Sequence, residues 1–144
     1  MKGKHIDWSE DRYEKHDPQS RQVIKSVFKK RGKVLIDNPD KYDVDLISED
    51  GTVQVEVEHR DVWSNPKFPF SDVNVPERKD KFFKLGKAHY CIVSRNFDRF
   101  GFIHKDVIQK YMKPKFLVEV YNKFIKNGEY FYKIPQSEFE FFSV

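Results

Sequence analysis

Apolar side chains change period along this chain, and the changes mark its elements. Val23, Ile24, Val27 and Phe28 fall on one stripe of a 3.6-residue helix, with Asp17-Pro18 ahead as N-cap and first helical position and Gly32 just past the end. The period then shortens to two. Val44 and Leu46, and later Val53, Val55 and Val57, alternate with acids and polar residues, which predicts strands over 42–48 and 52–60 joined through Asp50-Gly51, a strong short-range hairpin signal. Residues 61–76 place Pro66, Pro69 and Pro76 among Trp63, Phe68 and Phe70 and read as a long loop whose rings either pack on the body or stack on bases. Further on, 77–86 reads as a helix, 88–94 as a buried strand, 99–104 as a short strand and 106–112 as a short helix capped by Asp106. Two strands over 116–121 and 129–134 about Asn127-Gly128 follow, with a helix over 120–126 as the alternative. The order predicts an α/β fold, a mixed sheet with helices packed on it, in a single domain over 1–144 with a core of about 17–112 and a C-terminal extension at 113–144.

A two-residue turn at Asp50-Gly51 fixes the register of the hairpin, because opposed residues then have numbers that sum to 101. Ile47 meets Gln54, Asp45 meets Glu56 and Asp43 meets Glu58 on one face, while Val44, Leu46, Val53, Val55 and Val57 take the other. Opposed Cβ atoms lie about 4.5–5.5 Å apart, and like charges so placed are destabilising. Two stacked acid pairs with no base before Arg60 predict a divalent cation, since Mg²⁺ and Mn²⁺ prefer carboxylate oxygens and water. The plainer alternative is an exposed face on which the acids repel weakly in water.

Charge sharpens this expectation. The 144 residues carry a net +4, yet residues 37–61 hold nine acids against two bases, a local −7 that leaves +11 for the remainder. Carboxylates for a cation inside a chain otherwise suited to phosphates are what a metal-dependent enzyme acting on nucleic acid needs.

Tyr42-Asp43-Val44-Asp45-Leu46-Ile47, a turn, and Val55-Glu56-Val57-Glu58, preceded by the amphipathic helix, resemble the PD-(D/E)XK nuclease superfamily in order, spacing and hydrophobic setting over roughly residues 17–94. The resemblance implies a restriction-endonuclease-like core of helix, β-hairpin, helix and strand. It implies Asp45 and Glu56 as metal ligands, with the carbonyl of Val57 as a third ligand and Asp43 and Asp40 as further acids, Pro39-Asp40 being the literal PD dipeptide. Glu58 stands where the family usually has lysine. It would serve as a ligand or orient the attacking water, and Lys79, three and four residues before Phe82 and Phe83, would supply the missing cation from the sheet-facing side of the next helix. Arg60, Arg78, Lys81, Lys84 and Lys87 are then candidates for phosphate contacts, or simply for solvent.

Other chemistries find no footing. The five histidines show no zinc spacing, a single cysteine allows no internal disulfide, and neither a phosphate-cradling Gly-rich loop nor a GxSxG elbow is present. No apolar run approaches the roughly 20 residues of a membrane span, and Met1 to Trp8 lacks the apolar stretch of a secretory signal, so a reducing, cytoplasmic setting is expected. The sequence therefore predicts an Mg²⁺- or Mn²⁺-dependent endonuclease acting on DNA, a homodimer if both strands of a duplex are cut. The alternatives are an RNase on the same core and a nuclease-like fold that has lost chemistry and binds nucleic acid or protein.

Overall fold

The computed structural model describes residues 10–122 and 125–144. Helix α1 runs Glu10–Lys30, so it starts before the expected cap and contains Pro18. One proline removes a single intrahelical bond, and the preceding residues, rich in Glu, Arg and Lys, favour helix. At its other end Gly32, with φ of 84°, closes a Schellman motif: the Lys33 amide donates to the Phe28 carbonyl and the Gly32 amide to that of Lys29, both at 3.0 Å.

Strand β1 (Leu35–Asp37), which the periodicity did not predict, pairs antiparallel with β2 (Leu46–Ser48). Strand β2 pairs antiparallel with β3 (Gln54–Arg60), Leu46 against Val55 and Ile47 against Gln54, which is the expected register. The turn is longer than expected. Ser48 and Val53 form its closing pair, with the Ser48 amide donating to the Val53 carbonyl at 2.9 Å. Lengthening by one residue on each side leaves the pairing unchanged. The strand over 42–48 shrinks to three residues because Asn38, Asp40 and Asp43 use their side chains on the amides of Asp40, Tyr42 and Val44, at 3.0, 3.0 and 2.8 Å.

Strand β4 (Asp72–Pro76) forms inside the expected loop, its Val73 and Val75 both buried. A 3₁₀ turn at Glu77–Phe82 follows in place of the expected helix. Strand β5 (His89–Ser94) then lies parallel to β3, and β6 (Arg99–Ile103) antiparallel to β5. Helix α2 (Lys105–Gln109) is capped by His104, which accepts from the Asp106 amide, not by Asp106. Strand β7 (Leu117–Asn122) pairs antiparallel with β8 (Ile125–Pro135), so 120–122 is strand and Asn127-Gly128 lies within β8 instead of forming the turn; residues 123 and 124 lie outside the described residues. Strand β9 (Glu140–Ser143) completes the larger sheet.

The result is a mixed α+β fold with a six-stranded sheet, β1-β2-β3-β5-β6-β9, and a three-stranded sheet, β4-β8-β7. On one face of the larger sheet Ile24 and Val27 of α1 pack with Leu46, Val55, Val57 and Val93. On the other, Tyr90 and Ile92 pack with Trp63, Val73, Phe83, Tyr132 and Ile134. Val44 belongs to this second cluster, since the bends before β2 break the alternation that would have placed it under α1. Trp63 and Phe68 are buried in it, which makes the rings of the 61–71 stretch packing residues, while Phe70 is exposed. Among the described residues no helix is long and apolar enough to cross a membrane.

Candidate active site

Alternation along β3 sends Val55 and Val57 toward α1 and Glu56, Glu58 and Arg60 to the opposite face. Tyr90, which pairs with Glu56 across the parallel β3–β5 ladder, joins them. The Asp45 amide donates to Glu56 Oε1 at 3.1 Å, and Asp45 Oδ2 accepts from the Val57 amide at 2.9 Å. Two acids are thus held together by bonds that each makes to, or receives from, the other's strand.

Lys79 arrives from the 77–82 turn. Its Nζ lies 3.0 Å from Glu56 Oε2 and 3.3 Å from Glu58 Oε1. Glu58 also accepts from the Tyr90 hydroxyl at 2.8 Å and pairs through Oε2 with Arg60 Nε at 3.2 Å. Arg60 donates in turn to the Tyr90 oxygen at 2.8 Å and to the Asn74 carbonyl of β4 at 2.7 Å. Three acids therefore face two cations, an excess of one negative charge.

Burial and neighbours push the two glutamates in opposite directions. Glu56, its side chain 7% exposed, is raised to about 7 by desolvation, with Lys79 opposing and Asp45 reinforcing the shift. Burial acts on Glu58 in the same sense, but the Arg60 guanidinium and Lys79 ammonium outweigh it and hold its carboxyl at about 2. Lys79 and Arg60 are both shifted up, against desolvation, by these carboxylates.

Of the remaining expected site residues, Asp43 does not oppose Glu58. It forms a close ion pair with Lys87, which lowers its pKa, because the bends over 38–45 carry it out of the strand. Asp40 holds a turn through its bond to the Tyr42 amide. Arg60 is committed inside the cluster, where it does not face outward for a phosphate. Arg78 pairs with Glu129 at 2.9 Å, Lys84 with Asp80 at 3.1 Å, and Lys81 lies 5.1 Å from the Phe82 ring centre. Tyr90 was missed by sequence reasoning; a tyrosine in an otherwise apolar, buried strand is the signal that could have found it.

Among the described residues no preformed group of three or more His, Cys, Asp and Glu ligands occurs. The two carboxylates of Asp45 and Glu56 are hard oxygen donors, and one or two such groups plus water are the usual protein share of a Mg²⁺ site, so the residues present fit that ion. No protein-family model matches the chain, and no curated protein matches it.

Proposed function

We propose that the chain is a metal-dependent endonuclease that hydrolyses phosphodiester bonds in DNA, built on a restriction-endonuclease-like core. The observation that carries this reading is the convergence of Asp45, Glu56 and Lys79, from the bend just before β2, from β3 and from the crossover between two parallel strands, on one partly buried spot. The order of helix, antiparallel strands, crossover and parallel strand supports it, as does the +11 carried by the chain outside residues 37–61.

Asp45 and Glu56 would hold Mg²⁺ or Mn²⁺, and the chemistry such an ion supplies when bound is a water of lowered pKa and neutralisation of phosphate charge. Lys79 presents an ammonium to charge developing on the phosphate. Glu58 has both oxygens engaged by Tyr90, Lys79 and Arg60, so it contributes by holding Lys79 more than by orienting water. The full chain incubated with plasmid, single-stranded and branched DNA should cut in Mn²⁺ or Mg²⁺ and not in excess chelator. Asp45→Asn should slow cutting about a hundred-fold or more, the scale on which loss of one transition-state electrostatic contact is felt. Failure to bind divalent metal or to cut any of these substrates across a range of salt would reject the reading.

One observation favours a second reading, a binding module that no longer cuts. Glu56 and Glu58 already have a cationic partner each within the protein, so the cluster can stand without a metal. Binding of nucleic acid that neither needs nor responds to Mn²⁺ would support this alternative.

A further inference from the structure

Lys79 sits on a 3₁₀ turn of six residues, too short to hold itself in shape. Its two chain neighbours are instead fastened from outside. Arg78 Nη1 donates to Glu129 Oε1 at 2.9 Å, and the Tyr132 hydroxyl donates to Asp80 Oδ2 at 3.1 Å. Both fasteners belong to β8, some fifty residues further along the chain, and Tyr132 is anchored in the core, 3% exposed. Glu129 is nearly as deeply buried, at 8%. Strand β8 is itself pinned to the segment before the turn, since Pro76 pairs with Phe131 and Val75 with Tyr132.

We propose that Glu129 and Tyr132 are positioning residues that hold the Lys79 ammonium against Glu56 and Glu58, which gives strand β8 a role in the candidate active site. This deepens the nuclease reading and rests on it for the consequence in catalysis; the geometric claim stands independently. An ammonium clamped between two carboxylates is covered, its side chain 15% exposed, so an acylating reagent reaches the nitrogen only when the clamp opens. Releasing one flank of the turn therefore exposes Lys79 to an acetylating reagent.

The test is native acetylation of the full chain, mapped by mass spectrometry, with the exposed Lys29 as internal reference. Tyr132→Phe keeps the ring in the core and removes one O–H. It should raise Lys79 labelling relative to Lys29 about five-fold, the shift that one hydrogen bond of ordinary net strength supports, and Glu129→Gln should act in the same direction. Tyr111→Phe, which deletes a hydroxyl bond of the same kind to Glu138 at 2.8 Å away from the turn, should leave Lys79 at the wild-type level. Unchanged Lys79 labelling in both β8 variants, or a rise shared equally by Lys29, would overturn the proposal. In the cleavage assay the same variants should lower kcat with KM unchanged. A wild-type chain that does not cut rejects the nuclease reading while the labelling contrast still decides the positioning claim.

Discussion

The β2–β3 hairpin carries acids at both ends, and the two ends treat them differently. At the turn, Asp50 is exposed and takes its partners from next door: its Oδ1 accepts from the Ser48 and Thr52 hydroxyls, both at 2.7 Å, and from the Thr52 amide at 3.1 Å. These bonds push its carboxyl pKa down, with the charge of Lys33 the last and smallest contribution. At the open end, Asp45, Glu56 and Glu58 draw partners from β3, β5 and the crossover, up to 32 positions away in sequence, and Glu56 is buried. Local satisfaction of an exposed acid shapes a loop. Acids gathered where they repel, and then compensated by charges brought from elsewhere in the fold, need a further reason, and cation or phosphate chemistry is the one proposed here.

Lys79→Met should break this contrast most severely, because it strips the shared cation from two acids. Removing one partner from a buried ion pair costs on the order of 3 kcal/mol, seen as a lower urea midpoint with an unchanged slope. Next comes Glu56, whose folded pKa of about 7 lies above the ordinary 4.5. The unfolded chain sheds this proton first, so wild-type stability falls as pH rises from 4.5 to 7 and levels off above that. Glu56→Gln should flatten that slope, a change of about 3 kcal/mol across the window. Glu58 works in the opposite sense: held at about 2, it contributes stability above pH 4.5 that is lost as pH falls through 2. Asp50→Ala should have the smallest effect, a modest loss in thermal melting with metal response and cleavage intact. A metal response that vanished in Asp50→Ala and survived in Asp45→Asn would invert the distinction between the two ends.

The parity of the hairpin was legible in the sequence because the turn lengthened symmetrically, so Leu46 still meets Val55 and Ile47 meets Gln54. Its extent was not legible. Side chains at 38, 40 and 43 bond nearby amides, and a pattern of hydrophobic positions does not register that competition for the backbone. Strand β4 was hidden by three prolines, although the Val73/Val75 alternation was there to be read. Lys79 was found from its spacing to Phe82, and it survives the change from α-helix to 3₁₀ turn because positions three apart share a side in both. Arg60 was identified as a residue of interest, but as a phosphate ligand; standing two residues beyond Glu58 on the same face of β3, its nearest anion is within the protein. The β8 contacts to Arg78 and Asp80 join residues about fifty apart, and no periodicity carries such a pairing.

The most direct test of the central claim is a Mn²⁺ soak of crystals of the full chain at pH 8, where Glu56 is ionised, read by anomalous diffraction. One Mn²⁺ peak is expected between the Asp45 and Glu56 carboxylates, with none in Asp45→Asn crystals soaked in parallel. No peak there, with Lys79 and Arg60 still seated on Glu56 and Glu58, would contradict a metal site at this pair.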